Sequence, residues 1–220
     1  MTPNWVCSDA AIRPRVCTRQ SLARTFPGER PAMLDALDVH RALLAREVPH
    51  EVVRLPRLVL SADEIPDAMD LPASRCVAVR IYLADEQPAA VIVRAGELPH
   101  PGAVLAALGA RTLRAARPDL VNQITDFAAP LVCPVLLPES MPVLADSCVG
   151  HADVVYAPTG DGGTALGIAS RWLLTTSRAS VAELCAPDSP TVDLADDVPG
   201  STRATVRLPG RFADRLPHSR

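Results

Sequence analysis

Apolar positions recur in two rhythms along this chain. Leu34, Leu37, Leu44 and Val48 fall three and four apart, with Arg41 in the slot between, and this spacing predicts a helix over 33–47 that Pro49 ends. Residues 50–55 then read as a strand. Ser61 and Glu64 form a capping-box pattern, so a short helix is expected to about residue 69, with Pro66 in its first turn. The β-branched runs 75–83 and 89–94, parted by a turn at 85–88, predict a hairpin. Pro101 and Gly109 bracket a helix over 101–108, followed by a short strand at 111–114 and a helix at 118–124. Strands at 153–157 and 164–169 flank a turn at 159–163; Ser170 then caps a helix over 171–175, and 180–184 is a last strand.

Between these halves lies an apolar stretch, 125–146, punctuated by Pro130, Pro134, Pro138 and Pro142. Proline fixes φ and removes a backbone donor, so neither a regular helix nor a central strand runs through it. Leu131, Val132, Val135, Leu136 and Leu137 nevertheless call for burial. Such a loop suits a pocket wall and a core cover equally well.

Composition narrows the picture. The chain has 220 residues, 48% of them hydrophobic but only 3% aromatic, which is enough for one aliphatic core. Its net charge of -3 argues against a dedicated nucleic-acid binder, though not against local basic patches. Every basic residue is arginine, so no side-chain amine is available for Schiff-base chemistry. Six cysteines lack a C-x-x-C pair and fit no zinc site; they read as reduced thiols of a cytoplasmic protein. No apolar run approaches the ~18 residues of a membrane span. The five histidines are scattered, and neither a metal nor a cofactor is expected. Residues 160–163 lack the ending of a phosphate loop and read as a hairpin turn.

Residues 1–32 carry arginines without an apolar period. They are expected to be a disordered extension or one that precedes the natural start at Met33. Residues 186–220, acidic and then basic, are expected to be a disordered tail. One α/β domain over 33–185 remains.

The order of elements, with residues 34–44, 48–53, 103–111, Val132 to Pro134 and 137–146, resembles the YbaK/ProX family of aminoacyl-tRNA deacylase domains, also found within some prolyl-tRNA synthetases. The resemblance implies a mixed, barrel-like sheet flanked by helices and a substrate cleft beside the 130–134 loop. It implies hydrolysis of the ester of a mischarged tRNA, so the expected partners are the tRNA acceptor end and an aminoacyl-tRNA synthetase. The family's lysine and the threonine after it fall at Ala78 and Val79. Strand alternation puts Arg80 on the face of Ala78, where it is the candidate catalytic cation. The family's glycine-rich loop falls at Pro130, Leu131, Val132, Cys133 and Pro134, a further serine at Pro158 or Thr159, beside Gly160, and an aspartate at Gly167. These positions are the candidate substrate-binding set. With lysine and aspartate absent, the alternative is a non-catalytic module that binds tRNA ends, a synthetase or a small ligand.

Overall fold

Two residues, Asp85 and Glu86, turn the chain between the two longest strands of the described residues, β2 (Val77–Ala84) and β3 (Gln87–Arg94). Both are left-handed, with φ of 46° and 65°, the pair of conformations that a two-residue hairpin needs to match strand twist. The Asp85 carboxylate then accepts from the Arg111 and Thr112 backbone N–H groups at 2.9–3.1 Å, which holds its pKa below the usual range and anchors β4 (Leu113–Ala115) beside β2.

The computed structural model describes residues 33–185; the expectations for 1–32 and 186–220 lie outside these residues. The described strands form two sheets. One has the order β4-β2-β3-β5-β8, with β5 (Val143–Asp146) and β8 (Ser180–Ala182) added in parallel to the antiparallel hairpin. The other is antiparallel, β1-β7-β6, from β1 (His50–Arg54), β6 (Val154–Pro158) and β7 (Thr164–Ala169). They meet at a single parallel bridge between Cys76 and Tyr156. The fold is the expected mixed α/β type, but the implied barrel is two sheets joined at this seam, and the described residues form no closed barrel.

Side-chain alternation divides the core. Val77, Val79 and Ile81 face the main core; Cys76 and Ala78 face a second cluster with Ile65, Val59, Leu131 and Ala165. The helix α1 (Ala36–Ala45) starts at Asp35, whose side chain caps the Leu37 and Asp38 amides. It docks through Val39 and Leu43, both fully buried, while Leu37 and Leu44 stand 50% and 57% exposed. The stripe expected from sequence is therefore rotated: the pair four apart on the neighbouring face wins the contact with the sheets.

The helices α3 (Pro101–Leu108) and α4 (Pro118–Thr125) begin at the expected prolines, and Gly109 closes α3 in the left-handed conformation. Ser61 caps a 3-10 turn over Ala62–Glu64 by accepting from the Asp63 N–H, not from Glu64 as a capping box requires. Glu64 pairs instead with Arg57, and α2 (Ile65–Met69) follows. The last helix among the described residues is α5 (Ser170–Ser177).

Candidate active site

The candidate residues separate according to the two faces of β2. Ala78 is fully buried, and its methyl lies among the side chains of the second cluster, which includes Leu131. Val79 faces the opposite way, into the main core with Val132 and Cys133. The 130–134 segment thus serves two layers: Pro130 is exposed, Leu131 packs on the Ala78 side, and Val132 and Cys133 are sealed in the main core. Pro134, at its end, lines an open groove of about 610 Å³ with Arg46, Trp172, Arg178 and the loop residues Leu136 and Leu137.

Arg80 does share the Ala78 face, but its guanidinium is engaged. Nη2 donates to Asp63 Oδ1 and Oδ2 at 2.7 and 2.8 Å and reaches the Glu97 carbonyl at 3.4 Å. Asp63 Oδ1 also accepts from the Gly96 N–H at 2.7 Å. The pair ties the 3-10 turn before α2 to the end of β3, and none of these hydrogen bonds reaches the 130–134 loop. Side-chain exposures of 23% and 33% make this a partly desolvated ion pair. Arg80→Ala is therefore expected to cost about 1–3 kcal/mol of stability, because Asp63 loses its charged partner. A thermal melt unchanged from wild type would show that the pair is only a surface contact.

Cys133 is fully buried. Burial pushes its thiol up to about 12, partly offset by the Val135 N–H, so it is neutral near pH 7 and unsuited to attack an ester. Iodoacetamide at pH 8 is expected to leave Cys133 unmodified in the folded protein and to label it after denaturation, as peptide mass spectrometry can check. Native-state labelling would place the thiol at an open surface.

Thr159 and Gly160 belong to the turn between β6 and β7. The Thr159 hydroxyl lies 2.7 Å from that of Thr164, and Asp161 accepts from the Gly163 N–H and the Thr164 hydroxyl. Gly160 fits under Phe127, and the segment opens no helix, in keeping with a hairpin turn. Gly167 is buried in the middle of β7, between Glu51 of β1 and Tyr156 of β6. Glu51, Tyr156 and neighbouring Arg75 were not legible as a group in the sequence; only strand register assembles them.

Among the described residues, no three His, Cys, Asp or Glu side chains gather as a metal site. His40 Nδ1 and His50 Nε2 do meet at 2.8 Å, with His50 Nδ1 held by the Val48 carbonyl. No described helix is long and apolar enough to cross a membrane.

Several solved structures share this fold. The hypothetical protein APE2540 superposes with a TM-score of 0.62 at 21% identity, over 66% of this chain and 97% of that one. A proposed trans-editing enzyme for prolyl tRNA synthetase gives 0.61 at 24% identity, over 71% and 98%. No curated protein matches the sequence. The family model described as aminoacyl-tRNA editing domain matches residues 58–175, more than half of the chain, from the loop before α2 into α5. That span contains β2, the 130–134 loop and β7, and the chain belongs to the aminoacyl-tRNA editing domain family.

Proposed function

We propose that the 33–185 domain is a trans-acting deacylase of the cytoplasm, hydrolysing the ester between a wrong amino acid and the 3′ end of its tRNA. The observation that carries this reading is the family match over 58–175, which takes in Ala78, the 130–134 loop and Gly167. The fold shared with a proposed trans-editing enzyme for prolyl tRNA synthetase supports it.

Ester hydrolysis requires a water oxygen to bond to the acyl carbon, charge to build on the carbonyl oxygen, and the ribose oxygen to leave with a proton. In this chain lysine is absent, Ala78 offers only a methyl, and Cys133 is a buried neutral thiol. Activation of water then falls to the substrate, through its vicinal 2′-hydroxyl or its own amine, and the protein contributes shape and polar contacts to the developing oxyanion.

The second reading, a module that binds tRNA ends without catalysis, is favoured by one observation: Arg80, the cation two residues along the strand from the family's lysine slot, is engaged by Asp63. A panel of mischarged tRNAs, beginning with Ala-tRNA(Pro) and Cys-tRNA(Pro), separates the two. Turnover of at least one above the uncatalysed rate at micromolar protein is expected. Binding without turnover across the panel would establish the module and end the deacylase reading.

A further inference from the structure

Strand register lines up Glu51, Gly167 and Tyr156 in one row across the small sheet. With no side chain at the centre of the row, its neighbours lean over it. A Cβ built on Gly167 would stand 2.7 Å from both Cγ and Oε1 of Glu51, and 3.0 Å from Cε1 of Tyr156. The Tyr156 hydroxyl donates to Glu51 Oε1 at 3.3 Å. A carboxylate rooted on β1 therefore lies over a backbone position of β7, steadied by a phenol from β6.

The Glu51 carboxylate has no ion-pair partner among the described residues, and Glu51 is solvent-exposed. The Arg75 guanidinium stands 5.6 Å from the Tyr156 ring centroid, so one cation already occupies that ring. This leaves the carboxylate and the phenol oxygen as acceptors for a second cation. Burial and the Glu51 charge both push the Tyr156 hydroxyl up, so it stays protonated and keeps Glu51 in place. One carboxylate and one phenol are too few ligands for a hard divalent metal, but they suit a primary ammonium, with its single charge and three donors.

The row adjoins the candidate site. Tyr156 bridges to Cys76, which lies two residues before Ala78 on the same face of β2, about 7 Å along the strand. Ala165, two residues before Gly167, packs in the Ala78 and Leu131 cluster.

We infer that Glu51, laid across Gly167 and held by Tyr156, is an ammonium subsite that takes the α-amino group of the aminoacyl ester and selects substrates whose amine is free. The identity of the ligand rests on the editing reading, while the slot itself rests on geometry.

The test uses an uncleavable probe, an amino acid joined by an amide to 3′-amino-3′-deoxyadenosine, together with its N-acetyl counterpart. Binding of each to the full chain is measured by calorimetry. Wild type is expected to prefer the free amine by about tenfold or more, the scale of a hydrogen-bonded charge pair. Glu51→Gln should abolish the preference and Glu51→Asp should restore part of it, with melting temperatures unchanged. Equal binding of both probes by wild type, an undiminished preference in E51Q, or no binding of either probe would overturn the subsite. Because the probe cannot be hydrolysed, an amine preference that depends on Glu51 in a protein inactive on every mischarged tRNA would uphold the subsite while ending the deacylase reading.

Discussion

Gly160→Ala should cost about 3 kcal/mol or more and lower the melting temperature by roughly 6–12 °C. Two effects act together. Gly160 has φ of +100°, a conformation that a residue with a Cβ resists. In addition, its Cβ would overlap the Leu34 carbonyl oxygen and approach within 2.7 Å of Phe127 Cδ1. Neither neighbour can yield cheaply. Leu34 is fixed by its N–H bond to the Asp126 carbonyl at 2.7 Å, and Phe127 is among the largest fully buried side chains. Gly150→Ala is the control, because the nearest atom its Cβ would meet is Leu174 Cδ1 at 3.9 Å, an ordinary contact. Thermal melts of the two variants decide the matter. Equal, small shifts would show that the turn adapts and that Gly160 is dispensable.

The role of Gly160 illustrates what the sequence discloses and what it withholds. The turn itself is legible because aspartate and glycine at 160–163 are strong local signals. That the turn packs under Phe127 is a long-range fact with no local signature. The same division runs through the fold. Pro101 and Gly109 mark α3 correctly because capping is local. The face of α1 is misread because Leu37 and Leu44 satisfy the helical period as well as Val39 and Leu43 do, and only the docking surface chooses between them.

The candidate site follows this logic. Strand alternation correctly puts Arg80 with Ala78 on one face. Its engagement by Asp63, seventeen residues earlier and on a separate turn, depends on how that turn crosses the sheet. In the proline-rich loop, both readings of its composition hold in part: Val132 and Cys133 are core, while Pro134 and Leu136 line a groove. Glu51 carries no motif at all and acquires its place over Gly167 solely from β1–β7 register, which hydrophobic pattern sets only indirectly.

Asp146→Ala is expected to cost about 3–5 kcal/mol, comparable to removing one member of a buried charge pair. Asp146 ends β5 with only 1% of its surface exposed. Its Oδ1 accepts from the Cys148 N–H at 2.9 Å, and its Oδ2 accepts from the Leu184 and Cys185 N–H groups at 2.9 and 2.8 Å. One carboxylate thus joins the end of β5, the turn after it and the segment after β8, and the Leu184 carbonyl continues the chain of bonds to the His100 N–H. Without the carboxylate, three backbone donors lose their acceptor, each at about 1–3 kcal/mol if it stays buried. Burial alone would raise the Asp146 pKa, but the N–H groups of Cys185 and Cys148, the Cys148 thiol and the Leu184 N–H outweigh it and hold the group below the usual carboxylate range. The folded state therefore favours the ionised form. Its contribution is complete above the unfolded-chain value of about 4 and is lost as pH falls through the lower folded value. Asp146→Asn, which cannot titrate, should flatten the acid limb of the stability–pH curve below about pH 5 as well as lower the plateau. Urea melts of wild type and both variants from pH 3 to 7 measure each quantity. Parallel acid limbs for wild type and D146N would assign the acid sensitivity to other carboxylates and leave Asp146 as a hydrogen-bond acceptor whose ionisation folding does not favour.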